Sequence, residues 1–433
     1  MKNLLLLSLT IVGFLFGCSE EKGKVGDENF EKALIAMELD DEVDGYFVIS
    51  DEVKEKTSLY LSGEQIKKID GIEFFNNLEI LEVQKNQLTS LDVSRNIKLK
   101  ELRVFENQLT SLDITKNPEL EVLELGINPL TSLDVSKNIK LKELSIFENQ
   151  LASLDITENP ELEKLYIYKN QLTSLDVSRN VKLKALSVWE NQLTSLDFTK
   201  NPDLESLYAS ANQITSIDVS RNDKLKELDV SQNQLTSLDI TENPELEKLY
   251  IHKNQLTSLD VSRNDKLKEL DVSENQLTFV DFTKNPELEN LYAAANQLIY
   301  LDVSRNAKLK KLIVWENQLT AIEVGFNPEL HTLSVLQNQL TELDIYHNYK
   351  LDYLYADNSI ANYSDLQTFL AINRLNATLN KKEEASQPLL EDMASLIKWI
   401  LGLLVFLIIA KIISKFLGSP SKSSNQIENE KMN

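Results

Sequence analysis

The sequence predicts a solenoid of short parallel β-strands, and three observations carry that prediction. The stretch NQLTSLDVSRNIKLKELRVFE, Asn86 to Glu106, returns every 21 residues, with its asparagine at Asn107, Asn128, Asn149, Asn170 and onward to Asn338. Self-similarity at a fixed period of this length marks a stack of identical supersecondary units. Each unit also holds two nested halves, Leu78-x-x-Leu81-x-Val83-x-x-Asn86 followed by Leu88-x-x-Leu91-x-Val93-x-x-Asn96. Within each half, apolar alternation fits a short strand with one face inward, and the asparagine fits the turn that closes it.

The pattern LxxLxLxxN, occurring twice per rung from Leu78 to Asn348, resembles the leucine-rich repeat family. The ten- and eleven-residue spacing of the asparagines resembles its short bacterial, internalin-like class with nested half-repeats, sometimes called IRREKO. The resemblance implies a superhelix of parallel strands, with a strand or extended arc in each half. It also implies that the two asparagine columns, Asn86 to Asn338 and Asn96 to Asn348, bond the backbone at the bends. A buried turn needs such partners. A residue present in every rung is not a catalytic one.

The charges carry a second period, of 42 residues. Lys98, Glu119, Lys140, Glu161, Lys182, Asp203 and Lys224 alternate in sign along one column, which continues to Lys350. Lys100, Glu121, Lys142, Glu163, Lys184 and Glu205 do the same two residues on. Rungs stack about 4.8 Å apart, so a uniform column would repel itself. Alternation sets each carboxylate between two ammonium groups, at a few tenths of a kcal/mol (roughly) per exposed contact. A separate column of aspartates, from Asp92 and Asp113 to Asp302, is followed three residues later by Arg95, Lys116, Lys137 and their equivalents. This reads as a solvated acid ladder offset by a basic one.

The ends of the chain carry different signals. MKNLLLLSLTIVGFLFGC reads as a secretory signal peptide over 1–18, and its end resembles a bacterial lipobox with Cys18 as the acylated residue. Cys18 is the sole cysteine, so no internal disulfide exists. Residues 19–57 form a tether and a small, partly helical acidic module. There Asp40, Glu42, Asp44 and Asp51 fall at positions 1, 3, 5 and 12 of a calcium loop, with Asp where a bidentate Glu is wanted. A solvated acidic turn is the simpler reading; calcium is the only cofactor the sequence offers.

The solenoid spans 58–358. Leu61, Ile66, Ile69 and Ile72 form an atypical first rung that closes the open end of the core. Residues 359–380, with Leu366, Phe369, Leu370, Leu375 and Leu379 on one side, read as a C-terminal capping helix. A polar linker (381–395) leads to an apolar segment, 396–417, read as a transmembrane helix, and Lys411, Lys415 and Lys422 place the tail (418–433) in the cytoplasm. Both anchors fit a plasma or inner membrane with the repeats on the extracytoplasmic side. An outer-membrane surface lipoprotein is the alternative.

Function is less legible. A formal charge of −23 argues against nucleic acid, and only 11 glycines leave no phosphate-cradling loop. No nucleophile elbow, P-loop or paired histidine motif occurs; His252 and His331 read as surface substitutions, and no enzyme is expected. The rungs diverge at the outward positions of the varied half-repeat. Phe105, Phe147, Tyr166, Tyr168, Trp189, Tyr208, Tyr250, His252, Tyr292 and Trp315 stand there, with a floor of small residues (Ser210, Ser231, Ser273, Ala294) between the two tryptophans. Exposed aromatics beside small residues suit a protein or peptide partner. Rings that merely pack along the ladder, in a spacer or adhesin with no specific ligand site, are the competing reading.

Overall fold

The computed structural model describes residues 21–362 and Leu366. Fifteen three-residue strands, from β3 (Ser58–Tyr60) and β4 (Ile80–Glu82) to β16 (Thr332–Ser334) and β17 (Tyr353–Tyr355), form one parallel sheet in unbroken sequence order. From β4 onward the register is that of the repeat: Leu144 faces Leu165, and Leu165 faces Leu186. Each strand pairs only with the copies before and after it, which is how a solenoid buries a core that no rung could bury alone.

The core is the inward half of the alternation. Leu144, Ile146, Leu151, Ile156 and Leu162 are all fully buried, and equivalent residues repeat this in nearly every rung. At about 25 cal/mol per Å² of apolar surface, each such side chain contributes roughly 1.5–3 kcal/mol, so the inward leucines dominate the stability of the stack.

A strand forms in one half-repeat only. In the other half, as at Leu91 to Leu99, an extended run ends in two successive turns, closed by Asn96 N–H to Val93 O at 3.0 Å and Leu99 N–H to Asn96 O at 3.1 Å. Of the strand or extended arc expected in each half, the first half takes the strand and the second the extended arc. The chain must reverse within a few residues, and i to i−3 bonds do that where a ladder cannot.

Both asparagine columns are buried and serve the backbone, by different geometries. In the first, Asn191 Nδ2 donates to Ile167 O and Val188 O, each at 3.0 Å, while its Oδ1 accepts Leu172 N–H at 3.0 Å. In the second, Asn180 Nδ2 donates to Ile156 O at 2.9 Å and Asn159 O at 2.8 Å. The Asn180 Oδ1 is buried without a hydrogen-bond partner, and so is its equivalent from Asn96 to Asn348. The residue before each first-column asparagine is left-handed: Lys85, Glu106, Ile127, Glu148 and on to Gln337, with φ between 49° and 59°.

The N-terminal module is more than a helical lead-in. Helix α1 (Glu28–Ala36) starts at Asp27, whose side chain accepts from Asn29 N–H and Phe30 N–H. The other Asp27 oxygen takes Lys67 N–H at 2.8 Å, so one carboxylate caps the helix and ties it to the first rung. Strands β1 (Lys22–Lys24) and β2 (Tyr46–Val48) form an antiparallel ladder that the sequence did not announce. Phe47 on β2 stacks on Phe75 (6.0 Å) and meets Phe74 edge-on (6.1 Å), sealing the first rung, where Leu61, Ile66, Ile69 and Ile72 are buried as expected.

The signal peptide, Cys18, linker, apolar segment 396–417 and tail lie outside the described residues, as does the capping helix apart from residues 359–362, which form turns with Ile360 buried, and buried Leu366. Among the described residues no helix is long and apolar enough to cross a membrane.

Candidate functional site

Alternation places the outward residues of each strand, and the residue two beyond its end, on one face of the sheet. Parallel pairing runs past the strands, with Ile146 N–H to Tyr166 O at 2.7 Å and Glu148 N–H to Tyr168 O at 3.0 Å, so those end residues also form a column. All ten sequence-predicted residues stand on this face, half-buried. They are distributed over two columns and several rungs.

In the end column, Phe147, Tyr168 and Trp189 stack face to face, with ring centroids 4.8 Å and 4.4 Å apart and planes within 11°. Lys169 Nζ lies 5.3 Å from the Trp189 ring. The Phe147 ring lies over Gly126, where an added Cβ would stand 2.5 Å from it, so any side chain here would have to push the ring aside. Phe105 stands beyond that gap. Past Trp189 the column falls to Ser210, Ser231, His252, Ser273 and Ala294 before Trp315. The floor is not bare: Ser231 and Ala294 are fully covered by neighbours, and only Ser210 and Ser273 are partly accessible.

The column inside it alternates tyrosine with small or acidic residues. Tyr166, Tyr208, Tyr250 and Tyr292 are interleaved with Ser187, Asp229 and Asp271. Tyr208 Oη donates to Glu227 in the next rung, and Tyr250 bonds Glu269 in the same way. Burial, with these carboxylates nearby, pushes both phenols far above their ordinary range, so they stay neutral donors. Lys311 Nζ sits 5.6 Å from the Tyr292 ring.

Between the tryptophans the face is acidic. The Glu227 carboxylate is also held by Lys248 at 2.8 Å. Asp229 accepts Ser231 N–H and Oγ at 3.0 and 2.6 Å, yet burial pushes its carboxyl above the usual range despite those bonds. Asp271 lies 3.3 Å from His252 Nδ1. Nearer the N-terminus Arg103 offsets the acids, reaching Glu82, Glu101 and Glu124 within 3.1 Å.

Other candidates have structural explanations. Each ladder aspartate closes a turn on itself: Asp155 Oδ1 accepts Thr157 N–H at 3.0 Å and Oγ1 at 2.7 Å. Those bonds come first in lowering the aspartate pKa values, ahead of the flanking arginines and lysines. The basic column is therefore a secondary offset, a correction to the sequence reading. The alternating columns pair one way: Lys182 binds Glu161 at 2.5 Å and Lys184 binds Glu163 at 2.7 Å, each reaching back one rung. His331 pairs with Asp352 at 3.0 Å.

Asp40, Glu42, Asp44 and Asp51 are not drawn to one point. Asp44 pairs with Lys22 at 3.3 Å and accepts Tyr46 N–H, while Asp51 opens helix α2 (Asp51–Glu55) behind the Ser50 cap. Among the described residues no three His, Cys, Asp or Glu side chains could hold a metal ion.

The comparisons agree with this architecture. Residues 223–264 match the family described as leucine rich repeats (2 copies). No curated protein matches the chain. Among solved structures, the functional domain of InlJ from Listeria monocytogenes, which includes a cysteine ladder, is 33% identical. The match covers 78% of this chain and 76% of that one, with a TM-score of 0.76. A ladder of cysteines has no counterpart here, since Cys18 is the only one. The Leptospira interrogans protein LIC12759 is 25% identical over 76% of this chain and 90% of its own, at a TM-score of 0.68. The plant peptide hormone receptor RGFR1, solved in complex with RGF2, shares the fold at 22% identity and a TM-score of 0.62, over 75% of this chain and 58% of its own. Sequence, rung geometry and likeness converge, and the chain belongs to the bacterial leucine-rich repeat proteins.

Proposed function

We propose that this chain is a membrane-anchored, extracytoplasmic recognition protein that binds a protein or peptide partner on its aromatic strand face. The observation that carries this reading is the stack of Phe147, Tyr168 and Trp189, continued by tyrosines and Trp315, on the one face where otherwise near-identical rungs diverge. Large, rigid, partly exposed rings give much contact area for little lost side-chain freedom. The anchors rest on the sequence: a lipid on Cys18 and the apolar segment 396–417, with the plasma or inner membrane as location and the outer-membrane surface as alternative.

The mutual stacking of the rings favours a second reading, a spacer or adhesin whose aromatics only hold the ladder. Photo-crosslinking in intact cells separates the two. A photoreactive residue replacing Ser210 should give a discrete adduct that is absent from the same residue at Thr110, and Trp189→Ala with Trp315→Ala should abolish it. Adducts of equal yield from both positions, or none at Ser210, favour the spacer. Lipid labelling and protease shaving of whole cells test the anchors and the exposed side.

A further inference from the structure

We propose that the strand face between Trp189 and Trp315 takes an extended basic segment of a protein partner, seating one lysine or arginine side chain over His252 between Asp229 and Asp271. This deepens the strand-face reading and rests on it. The relief of the face sets the place. Stacked rings fill the end column from Phe147 to Trp189 and a ring returns at Trp315, with smaller residues over the five rungs between. Six rung steps of about 4.8 Å span about 29 Å, which roughly nine extended residues at about 3.3 Å each would fill.

Charge sets the occupant. Of the four carboxylates here, Glu227 already has Lys248 and the Tyr208 hydroxyl, and Glu269 has the Tyr250 hydroxyl. Asp229 has only serine donors, and Asp271 faces a histidine that is charged only when protonated. Two mostly buried acids, two rungs apart with one weak base between them, have no lysine or arginine paired with either of them among the described residues. The lysines around them are committed elsewhere, Lys248 to Glu227, Lys253 to Glu274 at 3.5 Å and Lys311 to the Tyr292 ring. That ring contact, with Lys169 over Trp189, shows that the aromatic faces here accept cations. An anionic segment would meet Glu227, Glu269 and a chain of formal charge −23, so complementarity selects a basic one.

The test uses the full chain in detergent and an array of nonapeptides with Lys, Arg, Glu, Leu or Ser at the fifth place. Retention of the Lys and Arg peptides is expected, falling about tenfold in Asp229→Asn with Asp271→Asn, and falling with added salt. Asn keeps the acceptor for Ser231, so the double variant leaves the fold intact, checked by a melting curve no lower than that of the parent chain. If the array retains apolar peptides that Trp189→Ala releases and the double Asn variant does not, the aromatic face stands and the basic-segment inference falls. If retention is indifferent to all three substitutions, both readings fall. Failure to retain any basic peptide overturns the inference.

Discussion

Replacing Asn191 with alanine should be among the costliest single changes in the stack. The substitution strips Leu172 N–H of its acceptor and Ile167 O and Val188 O of a donor, all buried. Each lost bond is worth about 1 kcal/mol net, and an orphaned buried amide adds roughly 1–3 kcal/mol, for a total of about 4–6 kcal/mol. Asn180→Ala removes two donated bonds but no accepted one, because its Oδ1 has no partner to lose. It should cost about 2 kcal/mol by the same reckoning. Long repeat arrays need not unfold in one step, so the measurement is local: hydrogen exchange of the Leu172 amide, beside denaturant melts of the whole chain. Asn191→Ala should speed that amide's exchange by orders of magnitude, and Asn180→Ala should not. Equal losses in the two variants, or an unchanged Leu172 amide, refute the reasoning.

Ile127 is a β-branched residue held at φ 55°; glycine there should stabilise the chain by about 0.5–1 kcal/mol, read as a higher denaturant midpoint at unchanged slope. Gly126→Ala should turn the Phe147 ring off Tyr168 and change the near-ultraviolet dichroism and Trp189 emission, with little loss of far-ultraviolet signal. The ladder aspartates have folded pKa values below their unfolded value of about 3.9. Their stabilisation is therefore complete above that value and is lost as pH falls through the folded ones. Replacing Thr115, Thr157 and Thr199 by alanine should raise the acid-unfolding midpoint. Asp229 behaves oppositely, since its folded pKa is raised. Its penalty is absent below about pH 3.9 and complete once pH exceeds the folded value, so Asp229→Asn should stabilise the chain at neutral pH and not in acid.

Much of this was legible because the repeat writes inside and outside in plain alternation. Leu144, Leu165 and Leu186 announce the core, and Phe147, Tyr168 and Trp189 announce the opposite face. Whether those rings stack depends on a centroid spacing near 4.5 Å, which comes from rung geometry. Which half forms the strand and which only an extended arc was hidden, because Leu91-x-Val93 alternates as a strand does, while turn bonds around Asn96 decide the backbone. The aspartate turns were readable in principle, since Asp followed two residues later by Ser or Thr is turn chemistry. The nearby arginines and lysines drew attention away from it. The left-handed position was invisible, because lysine, glutamate, alanine, glutamine and isoleucine all occupy it. Strands β1 and β2, three residues each, were too short for periodicity to reveal.

The one-sided clasp of lysine on acid gives the rod a grammar for gaining and losing length. Glu119 holds Lys140, and Glu161 holds Lys182. Excising residues 140–160, one copy, would bring Glu119 against Glu161, whereas excising 140–181 brings it against Lys182. Recombination between copies therefore leaves a comfortable join only in even steps, so sister chains should differ in length by multiples of 42 residues.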